Sequence, residues 1–195
     1  MYSNNNTVLF LNRRTAEELP PIDHAAMISI TDSSEDDANI SEDWYRLYRF
    51  HFIDGAYNED TLRFVGTNYK YIYSSYFDRE LAFKLRNTIQ QIISDGIQTI
   101  VIHCHAGRSR SAAVAKFIHD QHGYLPYNTP DILQAPPASR PKPDLDTLSG
   151  MNEMIYTLLN NPHHFDLVLQ EIDSSAPPET SEPSLWRRLL AIVSR

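Results

Sequence analysis

Thr99-Ile100-Val101-Ile102-His103-Cys104-His105-Ala106-Gly107-Arg108-Ser109-Arg110-Ser111-Ala112-Ala113-Val114 is the stretch on which the fold of this chain turns. Its first four residues are all branched, which predicts a strand buried on both faces, as at the centre of a parallel sheet. From Arg110 to Gln121 the pattern changes to that of a helix, closed near Gly123. The polar loop between them holds the single cysteine of the 195 residues.

A loop that runs into a helix N-terminus aims unpaired backbone N–H groups at one spot, beside the positive end of the helix dipole. Such a cradle suits a dianion. The same dipoles, together with Arg110, favour the thiolate form of a cysteine at its base. Arg110 can fork two N–H groups onto phosphoryl oxygens. Gly107 allows a tight turn and a close approach of backbone to ligand. Ser111 can donate to the sulfur and ease its departure. His103 is expected to face inward and hydrogen-bond near the loop to hold the thiolate, a role compatible with that of an ordinary satisfied histidine at a strand end. Two blander readings of Cys104 are a small buried hydrophobe and a redox switch. Polar neighbours argue against the first, and the lack of a second cysteine against the second.

These residues fit the C-x5-R loop, and more fully the H-C-x-x-G-x-S-R-S form, of the cysteine-dependent protein tyrosine and dual-specificity phosphatases. The chain resembles the small dual-specificity-like branch, specifically over residues 101–114 and in element order over residues 7–170. The resemblance implies an α/β fold with a central mixed, largely parallel sheet flanked by helices. It also implies a two-step, metal-free and cofactor-free hydrolysis of phosphate monoesters. Cys104 attacks phosphorus, Arg110 stabilises the equatorial oxygens, and a carboxylic acid protonates the leaving oxygen. The phosphate-binding residues are then His105, Ala106, Gly107, Arg108, Ser109 and Arg110, with His103 and Ser111 in support.

In the resembled family the acid is an aspartate just after the strand that precedes the long helix. Asp54, ending Arg49-Phe50-His51-Phe52-Ile53-Asp54, occupies that place. It lies fifty residues before Cys104, a longer interval than usual, which an insertion within residues 55–75 accounts for. Asp60 and Asp78 are rivals, although Asp78 sits where a helix N-cap is expected. Asp54 also reads as a turn former before Gly55. Asn128 stands where related enzymes often have an asparagine supporting the loop. Phosphotyrosine on a protein is the leading substrate, phosphoserine or phosphothreonine the second. Basic His105 and Arg108 leave a phosphoinositide as a third, unless both simply face solvent. Tyr57, Tyr69, Tyr71, Tyr73 and Tyr76 are candidates for a substrate wall, or for plain packing. A catalytically weak phosphate-binding module is the alternative from another functional class.

Outward from the loop, residues 8–11, 25–30 and 45–53 read as further strands, and Thr15 as the N-cap of a short helix ending before Pro20 and Pro21. Residues 77–93 carry Leu81, Leu85, Ile89 and Ile92 at helical spacing, with Gly96 as the stop. Residues 145–159 and 164–172 read as helices, 126–143 as mostly irregular with a possible turn at 128–133, and 55–75 resists assignment. Strands alternating with helices point to a layered α/β domain over residues 1–173. Residues 174–183 form a Pro/Ser/Glu linker. Residues 184–195 are a basic amphipathic segment with three arginines and no acid, suited to a partner, an anionic membrane surface or its own domain.

The formal charge of −8 argues against a broad nucleic-acid or anionic-membrane footprint. Asp32, Glu35, Asp36, Asp37, Glu42 and Asp43 crowd one segment, read as a solvated loop. One cysteine excludes an internal disulfide and a four-thiolate zinc site, and a lone reactive thiol fits a reducing compartment. The first residues lack the features of a secretory signal, and no apolar run has the length of a membrane span, so the cytoplasm is the expected location.

Overall fold

In a computed structural model, residues 6–136 and 139–175 are described. Five strands form one sheet: β1 (Thr7–Asn12), β2 (Ala25–Thr31), β3 (Arg46–His51), β4 (Thr99–Cys104) and β5 (Leu125–Tyr127). Their order is β3-β2-β4-β1-β5, and every pairing is parallel. The expected mixed sheet is thus corrected: among the described residues it contains no antiparallel pair. Each connection is a crossover covering a face of the sheet, the arrangement that keeps parallel strands dry on both sides.

Alternation along the strands divides the core. Val8, Phe10, Ile28, Ile30, Phe50, Ile100 and Ile102 pack on one face with α4 (Arg79–Ser94), α5 (Arg110–His122), α6 (Glu153–Asn160) and α7 (Asp166–Ser175). Leu9, Leu11, Met27 and Val101 pack on the other with α1 (Arg13–Glu18), Ile40, Trp44 and Ile132. Between β3 and α4 the unassigned segment folds as α2 (Glu59–Val65), a 3-10 turn and α3 (Tyr69–Ile72).

Several local expectations change. Asn12, not Thr15, caps α1, because its side chain accepts the Thr15 N–H at 2.9 Å. The helix expected over 145–159 breaks into a 3-10 turn, Thr147–Gly150, and α6, since Asn152 adopts extended backbone and caps the second piece. β5 lies in a stretch expected to be irregular. Its Pro126 is tolerated because β5 pairs only with β1, at the sheet edge. α7 includes Ser174 and Ser175, while residues 176–183 of the expected linker and the 184–195 segment lie outside the described residues. No helix among the described residues is long and apolar enough to cross a membrane.

Ile102 is fully buried on the central strand, in register with Phe10 on one side and Ile28 on the other. Ile102→Ala removes contacts that those immobile neighbours cannot replace. It is expected to cost about 3 kcal/mol in a urea melt.

Candidate active site

β4 ends at Cys104 and α5 starts at Arg110, leaving five residues to turn the chain from strand into helix. The turn presses against the end of β1, where Asn12 is the register partner of Cys104. Gly107 has φ +72°, and a Cβ there would lie 2.4 Å from the Asn12 backbone nitrogen and 2.6 Å from the Leu11 carbonyl carbon. No other residue fits that space and that dihedral. The Arg13 N–H donates to the His105 carbonyl at 3.3 Å and ties the loop to the start of α1.

The Cys104 thiol is 1% exposed. The Gly107 N–H donates to its Sγ at 3.3 Å, and Ser111 Oγ lies 3.3 Å from the same sulfur. Arg110 is 3% exposed, and its Nη1 donates to Asp32 Oδ1 and to the Phe52 carbonyl, each at 2.6 Å. Its Nε has no partner among the described residues. The Nε–Nη2 edge is therefore the one that remains for an oxyanion, in the geometry guanidinium uses for bidentate binding.

A second cluster borders the loop. Ser109 Oγ donates to Asp54 Oδ1 at 2.7 Å, and Asn152 Nδ2 donates to the same oxygen at 3.1 Å and to the Gly55 carbonyl at 3.0 Å. The Asn152 N–H reaches the Ser109 carbonyl at 3.3 Å, while its Oδ1 caps α6 through the Ile155 N–H at 3.1 Å. Asp54 is thus the aspartate brought to the loop. Asp78 caps α4 by accepting the Leu81 N–H at 2.8 Å, and Asp60 lies exposed in the first turn of α2.

His103 is fully buried, but on the sheet face opposite Cys104, with Nε2 2.8 Å from Ser29 Oγ on the neighbouring strand, so its ring does not hold the thiol as expected; Gly107 and Ser111 are the groups at the sulfur. Burial, reinforced by the positive charge of Arg13, pushes its imidazole down to about 4, so the ring is neutral near pH 7. His105, Ala106 and Arg108 form the exposed rim.

The other expectations fare differently. Asn128 is exposed just beyond β5, and Asn152 supplies the support it was expected to give. Tyr57, Tyr69 and Tyr73 line a cavity of about 450 Å³ bounded by α2, α3, α4 and α7. No residue of 103–111 lines that cavity. Tyr57 packs with Tyr73, Tyr76 and Phe165, and Tyr73 with Tyr76, whereas Tyr71 stands 87% exposed. Tyr57, Tyr69 and Tyr73 therefore pack away from the loop, Tyr71 stands in solvent, and Tyr76 lies against Gly55, the residue after Asp54. The acidic segment is exposed, as expected of a solvated loop, yet four of its carboxylates have partners: Asp32 pairs with Arg110, Asp36 with Arg13, Asp37 with His51, and Glu42 with Arg49. Sequence reading missed Asp32, Asn152 and Ser29. For Asn152 a signal existed, since an asparagine before Glu153 and an apolar run is a helix start.

Comparison of the chain with protein-family models, with curated proteins and with solved structures finds no match.

His103 has a measurable consequence for stability. Between about pH 6.5 and about pH 4 the unfolded chain binds a proton at this ring that the folded chain does not. Stability therefore drops as pH falls through that window, by roughly 1 kcal/mol per pH unit from this group. Urea titrations across the window are expected to show a shallower slope for His103→Gln than for the unaltered protein; parallel slopes contradict the assignment.

Proposed function

We propose that the chain is a cysteine-dependent phosphatase that hydrolyses phosphate monoesters, with phosphotyrosine on a protein as its main substrate. The observation that carries this reading is the buried pair of Cys104 and Arg110. A thiol receives an amide N–H and adjoins the Ser111 hydroxyl, and the first residue of the helix that follows the loop carries a buried guanidinium with an unpartnered Nε. A buried polar edge without a partner carries a desolvation cost that an anion would remove.

In the first step Cys104 Sγ attacks phosphorus as the bond to the leaving oxygen breaks. Arg110 and the loop amides hold the three equatorial oxygens, and protonated Asp54 gives its proton to the leaving oxygen. In the second, Asp54 takes a proton from water, the water oxygen attacks phosphorus, the S–P bond breaks and inorganic phosphate leaves. Ser111 Oγ, next to the sulfur, stabilises the departing thiolate. Cys104 is buried while His105, Ala106 and Arg108 are exposed, and a thiol reached only from beyond those residues would favour a substrate that carries its phosphate on a long rigid stem. The basic pair on that rim favours, as a second reading, a substrate with more than one phosphate. A catalytic thiol suits a reducing compartment such as the cytoplasm.

Hydrolysis of p-nitrophenyl phosphate without metal is expected from the unaltered protein and to vanish in Cys104→Ser; equal rates for the two sink the proposal. Unaltered tungstate affinity in that variant would separate loss of the nucleophile from loss of the site.

Asp54→Asn is expected to slow a tyrosyl ester by about 100-fold or more and an activated aryl ester far less, because only the poor leaving group needs the proton. Asn152→Ala, which frees Asp54 from one of its two donors, is expected to slow the tyrosyl ester by about 5-fold. Steady-state kinetics with both esters measure this, and no effect of Asp54→Asn on either removes it as the acid.

A further inference from the structure

The acidic segment after β2 is built into the site, and its first residue has a task that neither charge balance nor fold stability explains. We propose that Asp32 is the positioning residue for Arg110, holding the guanidinium through Nη1 so that its Nε–Nη2 edge faces the oxyanion. The inference rests on the phosphatase reading for its kinetics, but not for its binding measurement.

Nη1 meets two acceptors at 2.6 Å, Asp32 Oδ1 and the Phe52 carbonyl. Their proximity is a product of the sheet. β2 and β3 pair in register up to Thr31 and His51, and the Phe52 N–H then donates to the Thr31 carbonyl at 2.9 Å. That bond carries the ladder one residue beyond the strands and sets the Phe52 carbonyl beside Asp32. Because guanidinium is planar and rigid, two acceptors on one terminal nitrogen fix the direction of the opposite edge.

The chain on either side of Asp32 is tied down. Arg13 Nη1 donates to Asp36 Oδ1 at 2.8 Å and Nη2 to the Asp37 carbonyl at 2.9 Å. Thr31 Oγ1 donates to the Ser33 carbonyl at 3.1 Å, and the His51 ring bonds Asp37 at 2.8 Å. The backbone N–H of that same Arg13 holds the His105 carbonyl. One residue thereby ties the arm that aims Arg110 to the loop that carries Cys104.

The two partners differ in exposure: the Arg110 side chain is 4% exposed and that of Asp32 58%. A bridge with one carboxylate in water is screened and adds little to stability. The carboxylate stays hydrated while its one inward oxygen sets a direction, which is what a positioning contact requires.

The test compares Asp32→Asn with Asp32→Ala. Both remove the charge and both leave Nη1 the Phe52 carbonyl, but only asparagine keeps an acceptor at position 32, so their ratio reports the positioning bond alone. Asp32→Ala is expected to turn over p-nitrophenyl phosphate about 10-fold more slowly than Asp32→Asn, and to bind tungstate more weakly by a similar factor. In an Arg110→Lys background, where no Nη1 exists, the ratio in kcat/KM is expected to fall to about one. Thermal midpoints of the two Asp32 variants should agree, since the residue is largely exposed. The inference is overturned if alanine and asparagine behave alike, if their ratio persists with lysine at 110, or if the unaltered protein does not bind tungstate. Turnover that ignores Cys104 defeats the phosphatase reading alone, because the tungstate ratio still tests Asp32.

Discussion

The site depends on how closely the loop between β4 and α5 approaches the backbone of β1. Gly107 lies against Leu11 and Asn12 with no room for a methyl group, at a backbone angle that side chains disfavour. That contact brings the Gly107 N–H to within 3.3 Å of the Cys104 sulfur. It also lets α5 begin only five residues after the strand ends, so that Arg110 emerges at the base of the loop rather than beyond it. A wider turn would separate the thiol from the guanidinium and leave both without a shared ligand.

The second constraint is electrostatic. A guanidinium at 3% exposure is costly to keep unless it is paired, and a fully paired one has nothing left for an anion. Arg110 lies between these limits. One terminal nitrogen has two acceptors, and Nε has none. Folding thus leaves part of the desolvation cost unmet, which on the proposed reading an oxyanion recovers. His103 resolves the opposite problem across the sheet. It is kept neutral by burial and bonded to Ser29, so it adds no charge behind the thiol while its backbone stays in the β1–β4–β2 ladder.

What sequence made legible was whatever depends on neighbours along the chain. The branched run at 99–102, the loop to Arg110 and the helix after it follow local rules; β1 and β2 showed as apolar runs and β3 as a run of aromatic and branched residues, while β5 did not show. Contacts between distant residues did not show. Asp32 lies 78 positions from Arg110, and its charge run matches the composition of an exposed loop. Nothing local reveals that β2 delivers it to the strand ends where Arg110 emerges. Asn152, 98 positions from Asp54, advertised itself as a helix cap, but a cap has only one visible job in sequence and this one has three. Asp54 was legible from its place after β3, although α2 and α3 lengthen the path to Cys104. The parallel character of the whole sheet was obscured because the pairing of its edge strands is not written in their composition.

Ser109 shows how the two clusters are connected. It is the N-cap residue of α5, a position where serine ordinarily accepts a hydrogen bond from the helix and contributes about 1 kcal/mol. Here its side chain makes no capping bond; it donates instead to Asp54 at 2.7 Å. The hydroxyl could not cap the helix without becoming an acceptor for the amides that the proposed chemistry needs for phosphate. Turned toward Asp54, it leaves those first-turn amides unoccupied and at the same time draws the carboxylate to the loop. On the proposed reading, a single rotamer choice thus forgoes a local stabilisation to serve both the anion cradle and the acid, and a departure from the rules of helix capping at a functional site is what that reading expects.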